Sequence, residues 1–215
     1  MTRVTLLLLL YVGAMCAQPA ADWPLTGRDY AETHYSPLNQ VNASNVANLK
    51  STWTFDMSAA GSPAGQLEAS PIISNGVMYI TGVWSTVFAL DARTGELKWK
   101  YDPQLPRTGG PRLCCGAVNR GVALSNGKVF VGLLDARLVA LDASTGKVVW
   151  DVQTSVDLKE SYSITGAPAR GQGQGDYRQR WRGECRARLR HGLRHGDRQA
   201  RMAILHGARR SVETL

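Results

Sequence analysis

Two cysteines stand next to each other in this chain, at Cys114 and Cys115. Neighbouring Cα atoms lie about 3.8 Å apart across a trans peptide, whereas ordinary disulfides span about 4.4–6.8 Å. A bond between the two sulfurs would therefore close a small, strained ring, and strain of this kind is typically kept for function. The alternative is a pair of free or separately paired thiols. The other two cysteines, Cys16 and Cys185, lie in segments that we expect to fall outside the fold, which favours the vicinal bond.

Three polar residues add charge and hydrogen-bonding capacity to the cysteine pair. Arg120 follows Cys115 by five residues, Glu68 begins the run EASPI, and Thr165 lies in ITGAP. Taken singly, the first two are most simply solvated surface charges and the third a turn former. Brought together, a sulfur platform, a cation and hydrogen-bonding groups would suit a flat, anionic, carbonyl-rich ligand. We therefore predict a cofactor site that contains Glu68, Cys114, Cys115, Arg120 and Thr165.

The elements that must position these residues repeat along the chain. The segment ALDARTGELKW at 89–99 recurs as ALDASTGKVVW at 140–150, and each copy follows an Asn-Gly pair and a strand-like run. A β-rich unit that repeats every 51 residues with a Trp at a fixed place is typical of a propeller blade. We predict an all-β fold, a partial β-propeller, in which Trp99 and Trp150 pack between blades. Strand starts and blade-linking loops, where the site residues fall, crowd one end of a propeller channel.

Shorter patterns predict the individual elements. Asn42 or Ser44 could cap a short helix through Leu49, and STWTFDM at 51–57 alternates as a strand. The other strands, with hairpin turns at the Asn-Gly pairs, are predicted within 68–81, 83–90, 96–101 and 121–152. A third unit opens at 161–169 and the pattern then stops, so these blades cannot close a ring by themselves.

Both ends of the chain are predicted to lie outside this fold. Residues 1–17 have the features of a signal peptide for export to the periplasm. Residues 170–215 contain twelve Arg and no Lys, and they supply the whole net charge of +8, because residues 1–169 sum to zero. The folded part, residues 22–169, is therefore not predicted to bind nucleic acid or, after cleavage of the signal peptide, a membrane.

Several motifs together resemble the pyrroloquinoline quinone (PQQ)-dependent alcohol dehydrogenases, above all the quinoprotein ethanol and methanol dehydrogenases. They are DWPLTGRDYAETHYSPLNQVN, LEASPI, RLCCGAVNRG, the twin ALDAxTG motifs and SITGAP, within residues 22–169. The resemblance implies an eight-bladed propeller with PQQ on the channel axis, stacked on a disulfide between Cys114 and Cys115. Glu68, Arg120 and Thr165 match further contacts of the quinone in that family.

The same resemblance implies a reaction. In that family a calcium ion polarises the quinone, and an aspartate acts as general base while a primary alcohol transfers hydride to PQQ and leaves as an aldehyde. A periplasmic cytochrome c is the implied electron acceptor. The calcium ligands and the catalytic aspartate of the family fall beyond the matched part of this chain, so we assign no catalytic residue and no metal ligand to it.

The sequence departs from the family pattern after Ala169, where a Gly-Gly-Ala run with a calcium-ligating Glu is expected. Shifting the back-translated tail by one nucleotide permits GNGGA and a third repeat, AYDTATGKLGW, in register. We therefore predict that residues 170–215 are out of frame and unstructured, and that the chain is an N-terminal fragment that neither retains PQQ and calcium nor oxidises alcohols. The alternative is a non-catalytic propeller scaffold or binding module, against which the cysteine pair argues because a scaffold needs no redox platform.

Overall fold

Two antiparallel four-stranded sheets form the regular structure in the computed structural model, which describes residues 21–107, 113, 116–154 and 163–168. Among these residues, no helix has the length and apolar character needed to cross a membrane. The predicted signal peptide, the cysteine pair and the tail lie outside the described residues. In chain order the strands are β1 (Ile72–Ser74), β2 (Val77–Thr81), β3 (Val87–Asp91), β4 (Leu97–Tyr101), β5 (Ala123–Ser125), β6 (Lys128–Gly132), β7 (Arg137–Asp142) and β8 (Val148–Gln153).

Each sheet is a meander in which consecutive strands are neighbours, as the repeat predicts. Strands β1 to β4 form the first sheet and β5 to β8 the second. The Asn75-Gly76 pair turns β1 into β2 with φ angles of +51° and +75°, and Asn126-Gly127 turns β5 into β6 with +47° and +69°. Two successive left-handed residues are typical of the type I′ turn, whose twist matches that of a hairpin. Both sheets also have a bulge at the same point of the repeat, beside Ala89 and beside Ala140.

The two sheets pack face to face, and Trp99 in β4 reaches across to the second sheet. A Cβ atom on Gly146 would lie 2.6 Å from Trp99 Cε3, so glycine leaves the room that the indole occupies. Trp99 Nε1 donates a hydrogen bond of 2.9 Å to the carbonyl oxygen of Ala143. Trp150, its equivalent in the second repeat, packs against Phe130 of its own sheet with the ring centroids 5.7 Å apart, as Trp99 does against Tyr79 at 5.9 Å. Among the described residues there is no third sheet for Trp150 to pack against. The buried side chains between the sheets are Ile72, Tyr79, Val87, Ala89, Trp99, Val122, Val129, Val131, Leu133, Val139 and Leu141.

Residues 51–57, predicted as a strand, form no ladder with any described residue. Their exposure does alternate, and the apolar members face the first sheet. Trp53 lies over Gly95, where an added Cβ would be 2.5 Å from the indole Cε3, and Phe55 packs edge-on against Phe88 with the ring centroids 5.6 Å apart. The segment therefore covers the other face of the first sheet through side chains alone, because a ladder also needs a neighbouring backbone with free donors and acceptors.

The short helix predicted to end at Leu49 is a single 3-10 turn, Val46–Asn48. Asn45 occupies its N-cap position and makes no side-chain capping bond there, so neither Asn42 nor Ser44 is its N-cap. Asn42 instead caps the turn just before it, because its Oδ1 accepts a hydrogen bond of 3.0 Å from the Ser44 N–H. Asn42 Oδ1 accepts a hydrogen bond of 2.6 Å from Ser44 Oγ, and Asn45 Oδ1 accepts one of 2.8 Å from the Asn42 N–H. These polar side chains bond to the preceding turn, which competes with capping the helix.

A pairing that the sequence did not reveal joins the beginning of the described chain to the first sheet. Trp23 and Ile73 exchange two main-chain hydrogen bonds of 2.8 Å each along the edge of β1. The neighbouring carboxylate of Asp22 is buried and accepts a hydrogen bond of 3.1 Å from the N–H of Asn75. The edge of β1 is therefore covered by residues of its own chain.

We expect Gly146→Ala to destabilise the chain more than Gly127→Ala does. Both glycines have φ near +70°, so alanine costs about 1–2 kcal/mol at either position. An added Cβ at Gly127 meets nothing within 4 Å, whereas at Gly146 it would overlap Trp99 and cost about 1–3 kcal/mol more. Urea unfolding followed by tryptophan fluorescence measures both variants, and equal losses of stability would contradict the packing role of Trp99.

We expect the carboxyl group of Asp142 to titrate with a pKa of about 2, below its usual 3.8, chiefly because the hydroxyls of Ser144 and Thr145 donate to it at 2.6 and 2.9 Å. A depressed pKa means that the carboxylate stabilises the turn fully above the unfolded value and that this contribution is lost as the pH falls through about 2. Carboxyl ¹³C NMR titration of the parent chain and of Ser144→Ala checks this. The variant should have the higher Asp142 pKa, and an unchanged value would contradict the assigned cause.

Candidate functional site

Three separate segments meet at one end of the two sheets, and the main chain of Arg120 joins them. The segment with Glu68 and Ser70 leads into β1, the segment with Arg120 leads into β5, and residues 163–168 follow β8. The Arg120 N–H donates a hydrogen bond of 2.8 Å to the carbonyl oxygen of Thr165, and its carbonyl oxygen accepts one of 3.4 Å from the Ser70 N–H. The backbone therefore holds the predicted site residues together before their side chains are considered.

The side chain of Arg120 bonds to the two other predicted residues that the structure describes. Its Nη2 lies 2.7 Å from Glu68 Oε2, and its Nη1 donates a hydrogen bond of 2.9 Å to Thr165 Oγ1. The Arg120 side chain is 43% exposed and that of Glu68 26%, so the pair lies at a surface. A guanidinium has five N–H donors in a rigid fork. Arg120 is therefore held in a defined orientation while it stays accessible to an anionic or carbonyl acceptor.

The described residues that follow the cysteine pair lie at this same end of the sheets. Cys114 and Cys115 lie outside the described residues, but the residues that follow them are described. Gly116 has φ +79°, and the carbonyl oxygen of Ala117 accepts a hydrogen bond of 2.8 Å from the N–H of Trp84. Trp84 belongs to the 3-10 turn Val83–Ser85 that links β2 to β3 at this end. The prediction that Cys114 and Cys115 belong to the site is therefore neither met nor contradicted.

Sequence reasoning missed a buried polar residue next to Arg120. Asn119 is 2% exposed and bonds to both sheets. It also missed a strained turn, since Trp84 and Ser85 have φ +58° and +59°, a region that non-glycine residues seldom occupy. The sequence signal was slight: a single Asn within the otherwise apolar stretch before Arg120.

An open groove of about 450 Å³ that Ser70 helps to line is not the predicted site. Its lining does not include Glu68, Arg120 or Thr165. The lining residues are Ala21, Asp22, Trp23, Thr26, Ser36, Leu38, Ser70, Pro71 and Ile73. We therefore assign the candidate site to the cluster of Arg120, Glu68 and Thr165, which contains a guanidinium, whereas no basic side chain lines the groove.

The cluster fits part of a PQQ site and does not fit a calcium ion. PQQ is planar and anionic, and the cluster presents a partly exposed guanidinium held by a carboxylate and a hydroxyl. A calcium ion takes six to eight oxygen ligands, largely from carboxylates. Within the described parts of the chain, no three His, Cys, Asp or Glu residues gather closely enough to hold a metal ion.

Comparisons with known proteins agree with the fold and with the predicted resemblance. The family model described as "PQQ: Glucose/ethanol/alcohol dehydrogenase, beta-propeller domain" matches residues 23–174. The chain is 50% identical over 147 residues to the quinohemoprotein alcohol dehydrogenase of Comamonas testosteroni, covering 68% of this chain and 20% of that protein. The 1-butanol dehydrogenase (cytochrome c) of Thauera butanivorans matches with 50% identity over 68% of this chain and 21% of its own length.

Solved structures give the same result. The crystal structure of the Comamonas testosteroni enzyme superposes with a TM-score of 0.63 at 52% identity, over 68% of this chain and 21% of that one. A europium-containing methanol dehydrogenase superposes with a TM-score of 0.63 at 36% identity, over 71% of this chain and 26% of its own.

The chain spans about a fifth of the length of the curated relatives it matches. These relatives are alcohol dehydrogenases, and the two stacked meanders have the architecture of their propeller domain, so the predicted resemblance and the predicted partial β-propeller are both confirmed. With the family model matching well over half of the residues, the chain belongs to the β-propeller family of PQQ-dependent glucose, ethanol and alcohol dehydrogenases.

Proposed function

We propose that this chain supplies one corner of the quinone site of a periplasmic, PQQ-dependent alcohol dehydrogenase that oxidises primary alcohols to aldehydes. The observation that carries the proposal is the fixed guanidinium of Arg120, held between Glu68 and Thr165 at one end of two stacked blades. The names of the relatives support the reaction class, since each is an alcohol dehydrogenase. The signal-peptide features of residues 1–17 support the location.

The residues of the cluster bind and orient, and they do not themselves react. Arg120 supplies a positive charge and donors for a carboxylate or carbonyl oxygen of the quinone. Glu68 and Thr165 keep the guanidinium in one orientation, so its hydrogen bonds need little reorganisation when the ligand arrives. When bound, PQQ would supply the two-electron acceptor that alcohol oxidation requires.

We propose that Cys114 and Cys115 form a vicinal disulfide that serves as a flat support for the quinone. Their position in the chain supports this, because the loop that contains them runs between Tyr101 at the end of β4 and Arg120 in the site. An oxidising compartment such as the periplasm allows the bond to persist. We assign the implied calcium ion no ligand in this chain and derive no step through it.

We further propose that this chain has no dehydrogenase activity of its own. It covers only about a fifth of the relatives, and we assign none of its residues as a general base. A cytochrome c would be the electron acceptor of the whole enzyme, in line with the name of the Thauera butanivorans relative. The out-of-frame origin of residues 170–215 stays a prediction, which sequencing of the DNA around codon 169 would check.

The chain, purified and supplied with PQQ, calcium and ethanol, should reduce an electron-accepting dye no faster than a sample without protein. The physical reason is that a partial site leaves the quinone loosely held and the substrate without a base. Gel filtration should likewise separate PQQ from the chain. The Comamonas testosteroni enzyme, assayed in the same buffer, is the positive control. Calcium-dependent oxidation of ethanol by the chain would overturn the proposed inactivity.

Neither Cys114 nor Cys115 should react with iodoacetamide in native exported protein until a reductant is added. A disulfide between them leaves no thiolate to attack the reagent. Mass spectrometry of the peptide that spans both residues reports the modification. Cys114→Ser is the matched control, since it leaves Cys115 free of its neighbour and should make it reactive without reductant. Labelling of both residues in the unreduced parent chain would rule out the vicinal bond.

A further inference from the structure

A single buried amide, that of Asn119, links the two sheets next to the site. Its Nδ2 donates hydrogen bonds of 3.0 Å to Ser85 Oγ and 2.8 Å to the carbonyl oxygen of Gly132. Its Oδ1 accepts a hydrogen bond of 3.0 Å from the N–H of Gly121. Ser85 belongs to the turn after β2 in the first sheet and Gly132 ends β6 in the second. The amide is therefore a polar connection between the two sheets, in addition to the hydrogen bond from Trp99 to Ala143.

The main chain of Asn119 is held as firmly as its side chain. Its carbonyl oxygen accepts a hydrogen bond of 3.1 Å from the hydroxyl of Thr81, which is itself buried. A buried amide is costly unless its donors and its acceptor are all bonded. These bonds come from different elements and are all satisfied in one orientation of the amide. Asn119 thus has little freedom to rotate about either its side-chain or its backbone torsions.

The hydrogen bonds that fix Asn119 also restrain the backbone of Arg120, the residue that supplies the cation of the site. Arg120 is the next residue, and its N–H and carbonyl oxygen bond to Thr165 and Ser70. On its other side Gly121 has φ +129°, and a Cβ there would lie 3.2 Å from the Ser70 carbonyl oxygen. The backbone of Arg120 is therefore clamped from the preceding and the following residue. The direction in which its side chain leaves the backbone follows from this clamp.

We propose that Asn119 is the positioning residue that orients Arg120 toward Glu68 and Thr165, and so aims the cation of the site. The part that concerns the quinone rests on the proposed function above. Asparagine suits this position because it combines two donors with one acceptor on a short side chain. Aspartate has the same shape but would set an oxygen against the Gly132 carbonyl oxygen where the structure has an N–H donor.

Amide hydrogen exchange of the full chain, followed by NMR, tests this inference. The measured quantity is the protection of the Arg120 N–H relative to the amides of β6 and β7 in the same sample. In Asn119→Asp we expect this ratio to fall at least about tenfold, because local opening at Arg120 becomes easier while the sheets stay folded. If Asn119 had a purely structural role, the substitution would lower the protection of all these amides in parallel, and the ratio would stay unchanged.

A second pair of variants keeps the test decisive if Asn119→Asp does not fold. Thr81 and Thr86 are both buried, and each hydroxyl donates to a main-chain carbonyl oxygen, at 3.1 and 3.0 Å. Only Thr81 bonds to Asn119, whereas Thr86 bonds to Val83 within its own turn. We expect Thr81→Val to lower the ratio and Thr86→Val to leave it unchanged. Equal ratios in the two valine variants would overturn the proposal.

The side chain of Arg120 gives an independent readout. Glu68→Gln should shift the Arg120 Nε resonance in the parent chain, because the two side chains form an ion pair. Glu68→Gln should shift the Arg120 Nε resonance less in a chain that also contains Thr81→Val. A shift as large as in the parent chain would contradict the positioning role of Asn119. None of these measurements contains PQQ, so failure of this inference is distinguishable from failure of the proposed quinone site.

Discussion

Neither sheet of this chain buries its apolar face alone, and the indole of Trp99 over Gly146 sets how the two sheets meet. The contact needs a glycine with positive φ at the turn, an indole one repeat earlier, and the carbonyl oxygen of Ala143 as acceptor. Trp53 over Gly95 repeats the arrangement on the first sheet. Each repeat contains a turn glycine that an indole can pack over and a tryptophan that can pack over the next glycine, so repeats can stack on one another. Such stacking is the physical basis of a propeller.

The site depends on this stacking because its residues come from different segments. Glu68 precedes the first sheet, Arg120 precedes the second, and Thr165 follows it. None of the three is close to another in sequence, and they meet only when both sheets are aligned with the same ends together. Arg120 then joins the other two through its backbone and through its guanidinium.

Much of the backbone was predictable because the relevant forces are local. Asn-Gly pairs favour type I′ turns wherever they stand between strands, and both pairs form them here. The strand predicted at residues 51–57 was wrong for a non-local reason, since its side chains alternate as expected but its backbone meets no partner among the described residues. The pairing of Trp23 with Ile73 was missed for the converse reason, because nothing in the local sequence around Trp23 indicates a distant edge strand.

The sequence alone determined the unit of the fold, its period and the residue types at the site, because alternation, turn residues and the repeated Trp and Gly are properties of short segments. Taken singly, Arg120, Glu68 and Thr165 look like surface residues, and the family motifs that contain them predicted that they belong to one site. The contacts that join them, and the part played by Asn119, depend on how the two sheets pack. The importance of Asn119 comes from simultaneous bonds to Ser85, in the turn after β2, and to Gly132, at the end of β6. Hydrogen bonds between distant segments depend on how the sheets pack, and packing is a property of the whole chain and not of its local sequence.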